Sequence, residues 1–429
     1  MSTGQPHYTD LDELTEVEVT WSDPYGRVQG KRVPAAAFGS ATSSGRGFTF
    51  CEASLAWNFS GDIQLGASQG DPSGGYPDAV AVPDLSTLRR LPWRKGAGQV
   101  IADIQDPLGH PADSSPRQVL RRVLARLADL GYTAQVGVEL EFYVLKPDGA
   151  LLEPELLAYS LELANVYDPL LTEFTSGLTD YVPVEGVHTE YGPGQLEINL
   201  THQDALTAAD DAFRLRYAVK ELARRHGLLA TFMAKPFNGQ SGSSSHLHLS
   251  LWREGDPAFA PVGGEENPLT RSAIAGVLEH LPALVAFGGP TVNSYKRYEP
   301  YSFAPTHANW GNDDRSVAVR SLVGTPRSTR LELRTPAADA NPYWAVASAL
   351  AAVVLGVEEG LEPPKPYGGG PALPATLAEA VQAARSDGRL ADVLGADPVH
   401  DYLILAESEW TAYKGQVTSW EVDRYLRHA

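Results

Sequence analysis

The chain has 429 residues, with 34 lysines and arginines against 53 aspartates and glutamates and a formal net charge of −19. That acidity argues against nucleic acid or an anionic membrane as partner, since phosphate contacts need a basic face, and it is compatible with a cationic substrate. A composition 43% apolar and 20% charged excludes a disordered or fibrous chain, and the length leaves room for two or three domains around a large core.

The first residues, MSTGQPHYTDLDELTEVEV, are too polar and acidic for a signal peptide. Residues 15–35 alternate apolar and polar around Asp23-Pro24-Tyr25-Gly26, a turn between two expected strands. Cys51 is the only cysteine, so no intrachain disulfide can form and a reducing compartment, the cytoplasm, is expected. From Gly61 to Pro77 the chain is rich in glycine and proline, and loops of that length are often functional. After a break at Asp106-Pro107-Leu108-Gly109-His110-Pro111 comes a helix. Ser115 caps it, Pro116 opens it, Val119, Leu120, Val123, Leu124 and Leu127 form its apolar stripe, and Gly131 ends it. A domain boundary is expected there, separating an N-terminal domain, 1–107, from a catalytic domain, 108–429.

Farther along, strands and helices mix. A strand from Gln135 to Leu145 places Glu139 and Glu141 opposite Val136, Val138, Leu140, Phe142 and Val144. The pattern predicts a helix over 208–226 ending at Gly227, then a Gly/Ser bend from Gly239 to Ser245 leading into the alternating run His246 to Trp252. The apolar run Tyr343 to Val357 is shorter than the roughly 18 residues of a membrane span. It reads as a buried helix entered through Asn341-Pro342. Antiparallel strands backed by helices on one side give an α+β fold.

Four stretches carry chemistry two residues apart: Glu139/Glu141, Gln195/Glu197, His246/His248 and Arg330/Glu332/Arg334. On a strand, side chains at i and i+2 share one face about 6 to 7 Å apart. Glu139, Glu141, Glu190, Glu197 and Glu332 with His246 form an oxygen-rich donor set, which favours Mg²⁺ or Mn²⁺ over zinc. Two such ions would nearly neutralise the carboxylates. A nucleotide polyphosphate would then need cations, and Arg297, Arg315, Arg320, Arg330 and Arg334 lie close together in sequence. Arginines and divalent ions positioned together are what phosphoryl transfer requires. No phosphate loop, G-x-S-x-G elbow, H-E-x-x-H or G-x-G-x-x-G after a strand is present.

The runs Val138 to Phe142, His188 to Glu197, Lys235-Pro236-Phe237 with Gly242 to Trp252, Asn293 to Arg297 and Arg330 to Arg334 resemble the glutamine synthetase superfamily, in order through nearly the whole chain. The resemblance implies a β-grasp-like N-terminal domain, a curved antiparallel catalytic sheet backed by helices, and hexameric rings, stacked as a dodecamer, with sites shared between subunits. It implies Glu141, Glu190 and Glu197 as ligands of a first metal and Glu139, His246 and Glu332 as ligands of a second. Arg297 then matches the clamp on the substrate α-carboxylate, with Gly242 in the loop packing on glutamate, and Arg315 and Arg334 match the groups stabilising the transferring phosphoryl. Glu185, His248, Ser250, Arg320 and Arg330 match contacts to ATP. The implied chemistry is attack of the glutamate γ-carboxylate on ATP, giving a γ-glutamyl phosphate that an amine displaces.

Departures from the family pattern locate the specificity. Phe303 stands where the family's flap carries a glutamate that deprotonates ammonium. A phenyl ring takes no proton, although its face attracts a cation by about 0.5 to 2 kcal/mol. Phe50-Cys51-Glu52-Ala53-Ser54 replaces the usual Asp-Gly-Ser-Ser loop, Ser241 replaces an asparagine, and no adenylylation tyrosine motif is recognisable around Pro363 to Pro374. The expectation is a γ-glutamylamide synthetase of the γ-glutamylpolyamine and γ-glutamylethanolamide type, joining glutamate or a close analogue to an organic amine. Ammonia-dependent glutamine synthesis and a non-catalytic scaffold are the alternatives.

Overall fold

A computed structural model describes residues 13–155, 157–300 and 302–429. The N-terminal run read as lacking a signal peptide falls partly outside them, as does Tyr301 of the flap. Two sheets organise the chain. The first takes its strands from β1 (Glu16–Ser22), β2 (Val28–Pro34), β3 (Phe48–Cys51), β4 (Asp78–Pro83), β5 (Arg89–Arg90) and β6 (Ala97–Gln105), in the order β2-β1-β6-β4-β3 with β5 on β6. The expected turn at Asp23 to Gly26 closes the β1/β2 hairpin, where the Asp23 carboxylate accepts from the Tyr25 and Arg27 amides. Val17, Val19, Trp21, Phe50, Val100 and Ile104 bury one face with Phe38 from the helix Ala35–Ser43, a small core of the β-grasp-like kind.

The second sheet is built from β7 (Thr133–Leu145), β8 (Val184–Thr189), β9 (Gln195–Leu200), β10 (Gln203–Asp204), β11 (Leu229–Thr231), β12 (Ser245–Arg253), β13 (Asp256–Pro257), β14 (Trp310–Asn312), β15 (Val319–Leu322) and β16 (Arg330–Leu333). Its main order is β14-β15-β16-β12-β7-β9-β8. The four strands read from sequence as chemical, β16, β12, β7 and β9, are therefore immediate neighbours. Its pairs are antiparallel except at one edge, where β14 runs parallel to β15.

Period-two alternation decides which face carries what. Val136, Val138, Leu140, Phe142 and Val144 of β7, Leu196 and Ile198 of β9, Leu247 and Leu249 of β12, and Leu331 and Leu333 of β16 all enter one core with the helices behind. Those helices are Pro116–Asp129, Ala205–Arg225, Pro268–Gly288 and Pro342–Glu359. The polar residues between are thereby forced onto the opposite face. The predicted helix at 116 is present, but the Ser115 side chain makes no cap bond, and its carbonyl instead accepts from Gln118 and Val119. The helix expected from 208 begins earlier, at Ala205, because Asp204 caps the Thr207 amide. Asn341 caps Pro342–Glu359 as its sequence implied.

Arg117 links the two sheets. Its guanidinium reaches Asp84 at 2.9 Å and Asp103 at 2.6 Å on the first sheet's side and Asp210 at 2.8 Å on the helix Ala205–Arg225. Among the described residues no helix is long and apolar enough to cross a membrane.

Candidate active site

Strand register assembles the site. Glu332 on β16 lies opposite His248 on β12 and Arg320 on β15, Glu139 on β7 opposite His246 on β12, and Glu141 on β7 opposite Glu197 on β9. His188 on β8 also faces Glu197. Glu190 follows one residue after β8 ends.

Glu139 is the centre of this floor. His246 Nδ1 lies 3.2 Å from one of its oxygens and His248 Nε2 2.9 Å from the other. Burial pushes this carboxyl up, but the two imidazoles outweigh burial and hold it far below the usual range. Arg330 Nε donates to His248 Nδ1 at 3.1 Å, so that nitrogen is the unprotonated one and Nε2 carries the hydrogen. Buried Nε2 has no aligned hydrogen-bond partner.

Glu332 is 1% exposed. Arg320 Nη1 donates to it at 2.9 Å and Arg334 Nη1 donates to its other oxygen. Burial raises its pKa, yet His246 and Arg334 bring it below the ordinary value. Glu141 accepts from the Ser244 amide at 2.9 Å and from Gln195 Nε2 at 3.1 Å, and burial raises it. Glu197 is pushed up to about 9, first by burial and then by the charges of Glu141, Glu139 and Glu190, although Asn199 Nδ2 donates to it at 2.8 Å. His188 Nε2 lies 3.1 Å from Glu190 and 3.5 Å from Glu197.

Carboxylates this crowded and this buried call for compensating positive charge. The sets Glu139/Glu197/His246, Glu139/His248/Glu332 and His188/Glu190/Glu197 each offer three ligand atoms within 4.8 Å of one another. The donors are mostly oxygen, which fits Mg²⁺ or Mn²⁺. The first set is the better cation site. In the second, Arg330 fixes His248 with its proton on Nε2, which makes that nitrogen a donor toward an anion rather than a lone pair toward a metal.

Two cavities open onto the floor, of about 390 and 380 Å³. Glu185, His248, Ser250 and Arg330 line the first. Glu141, Glu190, Glu197, His246, Glu332, Gly242, Phe303, Arg315, Arg320 and Arg334 line the second. Glu139 and Asn199 belong to both. Of the residues matched to ATP contacts, Arg320 thus lies on the second cavity rather than the first. Arg297 lines neither. It is 2% exposed, and its guanidinium donates to the carbonyls of Arg334, Thr335 and Pro336 at 3.0 to 3.1 Å, beneath the floor. Gly242 makes room for it, since a Cβ there would sit 2.3 Å from Arg297 Cγ.

Sequence reasoning missed His188 and Asn199, each two residues from a chosen glutamate and so on its face. It also missed Tyr159 and Tyr191 at the mouth of the second cavity. Tyr159 sits in a loop with a positive φ of 62°, for which residue spacing offers no signal.

The family described as "Glutamine synthetase, catalytic domain" matches residues 113–425. The chain is 36% identical over 432 residues to the gamma-glutamylethanolamide synthetase GlnA4 of Streptomyces coelicolor, covering 96% of this chain and 92% of that protein. It is 35% identical over 382 residues to a glutamine synthetase of Methanocaldococcus jannaschii, covering 81% and 83%. The solved structure of GmaS without ligand superposes with a TM-score of 0.87 at 31% identity, covering 96% of this chain and 97% of that one. Carboxylates and imidazoles on neighbouring strands, two cavities meeting at Glu139, and these matches along nearly the whole length agree, and the chain belongs to the glutamine synthetase family.

Proposed function

We propose that the protein is an ATP-dependent ligase joining the γ-carboxyl of glutamate to an organic amine. In balanced form, the γ-carboxylate oxygen bonds to the γ-phosphorus of ATP as the β–γ bridging P–O bond breaks and ADP leaves. The amine nitrogen then bonds to the acyl carbon as the acyl C–O bond to phosphate breaks, and the nitrogen's extra proton passes to the departing phosphate. The observation that carries the choice of amine is Phe303, which lines the second cavity with its ring against Tyr191 where the resemblance implies a glutamate. A phenyl ring supplies apolar surface and no base. The likeness to a gamma-glutamylethanolamide synthetase supports the same reading.

Glu139, Glu141, Glu190, Glu197, His246 and Glu332 would hold the divalent cations, which supply charge neutralisation for a triphosphate and polarise its γ-phosphorus. The chain's own groups do the rest. His248 and Arg330 line the first cavity, which suits the nucleotide, with Glu185 and Ser250 beside them, while His248 Nε2 is turned to Glu139. Arg315 faces the second cavity, where Arg320 and Arg334 are held in place by Glu332. Those guanidiniums favour negative charge developing on a phosphoryl group. Arg297 secures the backbone behind Arg334 and would act on substrate only after giving up its carbonyl partners.

The unit 1–107 would complete a neighbouring subunit's site in a ring, and rings would stack. Support comes from large apolar residues left exposed on the single chain, Leu65 in the first unit and Trp420 and Leu426 at the C-terminal end. A cytoplasmic location accords with the lone cysteine. The test is ADP formation with glutamate, ATP and Mg²⁺ against ammonium and a panel of organic amines. Turnover is expected with organic amines well above that with ammonium, and the reverse order rejects the reading.

A further inference from the structure

Three aromatic side chains line the second cavity. Tyr159, Tyr191 and Phe303 all line it, and they are 66%, 50% and 52% exposed in the chain, apolar surface that a soluble protein gains by covering. Two are held in an unfavourable backbone conformation, with φ of 62° at Tyr159 and 59° at Phe303. Bulky side chains rarely adopt positive φ, and where they do the surroundings enforce a particular aim for the ring. The Phe303 ring lies against Tyr191, with centroids 5.6 Å apart, and the Tyr159 ring stacks on His188 at 4.7 Å. One aromatic wall is therefore anchored through His188 to β8, at the end of the sheet, and the other joins Tyr191 to the flap.

The charges around this mouth are equally specific. Among the described residues, the carboxylates lining the cavity are Glu139, Glu141, Glu190, Glu197 and Glu332; all but Glu141 fall in clusters that could hold a cation, and Glu141 accepts from the Ser244 amide and Gln195. Arg315 adds a positive charge on the same lining. Glu299, on the flap, is engaged by Lys235 Nζ at 3.0 Å. From the side chains this subunit supplies, a second ammonium on the substrate would thus meet rings and an arginine rather than a free carboxylate.

Building on the ligase reading, we propose that Tyr159, Tyr191 and Phe303 form the amine subsite and select primary monoamines with an apolar alkyl or aryl body over diamines and polyamines. The rings cover the apolar body, and their faces attract a single alkylammonium as it enters. The distal charge of a diamine gains no carboxylate from this lining and meets the positive charge of Arg315.

Phosphate release from ATP, with glutamate and Mg²⁺, tests this with n-butylamine, benzylamine, 1,4-diaminobutane and hydroxylamine. The first two should exceed the diamine in kcat/KM by about tenfold or more, since a pocket discriminates strongly against an unpaired polar group. Y191S and F303S should each lower the ratio of kcat/KM for n-butylamine to that for hydroxylamine by about tenfold, mainly through KM, and Y191F should keep it. A diamine used as well as n-butylamine, or a ratio unmoved in both serine variants, overturns the assignment. No phosphate release with any nucleophile, hydroxylamine included, overturns the ligase reading and this one with it.

Discussion

Phe303 and Glu197 are the residues whose chemistry most constrains the mechanism. Glutamate in place of Phe303 would put a base on the lining of the second cavity while adding a charge to an aromatic wall. F303E should raise kcat/KM for ammonium and lower it for organic amines, each on the order of tenfold. Steady-state rates with the two nucleophiles measure this, and unchanged selectivity would mean that the flap does not face the amine. Glu197 sets a pH dependence. Its pKa without metal is raised from 4.5 to about 9, so the folded chain holds a proton there that the unfolded chain has lost. Between those values the metal-free fold therefore loses stability as pH climbs. A divalent cation needs the carboxylate, so Mn²⁺ affinity should rise from pH 7 toward 9 and level off above it. Binding at pH 7 should release roughly one proton. Titration calorimetry in buffers of differing ionisation enthalpy measures that release, and pH-independent affinity would contradict it.

Strand pairing turned scattered motifs into one site, and much of that was legible beforehand. Alternation in β7, β9, β12 and β16 announced which residues share a face, because a one-residue slip would have buried Glu139 or Glu332 among leucines. What alternation cannot give is neighbourhood. It did not foresee that Arg297 would turn beneath the floor toward carbonyls 334 to 336, or that His188 would join Glu190 and Glu197. Ser115 likewise occupies a cap position without making the cap bond, since a capping residue type specifies an option and not a rotamer. Behind the sheet, the helices Pro268–Gly288 and Pro342–Glu359 touch backbone to backbone, and a Cβ on Gly276 would lie 2.2 Å from the Ala352 carbonyl oxygen and 2.7 Å from Gly356 Cα. Gly276→Ala should therefore destabilise the fold by about 1–3 kcal/mol, because neither backbone can give way as a flexible side chain would. Denaturant unfolding measures the loss, and a neutral effect would show that this helix pair can separate without penalty.

For the molecule as a whole, the join between the two sheets matters because the first must be held firmly if it is to serve a neighbouring site. Arg117 concentrates that join, with a 4% exposed side chain bound to carboxylates from both sides. Removing it leaves Asp84, Asp103 and Asp210 facing one another, with Arg121 still beside the first two. R117A should cost about 3–5 kcal/mol, the usual penalty for stranding buried charge. Thermal unfolding that stays unchanged in R117A would show that other contacts hold the sheets together.

Cation binding at the shared floor is the claim on which nucleotide cavity, amine cavity and phosphoryl transfer all depend. Its most direct test is Mn²⁺ stoichiometry by electron paramagnetic resonance on the intact protein and on E139Q and E197Q. The expected result is two or more Mn²⁺ per chain in the parent, fewer in each variant, and ADP formation that falls in step. Failure of the parent to bind Mn²⁺, or full occupancy in both variants, would contradict the account.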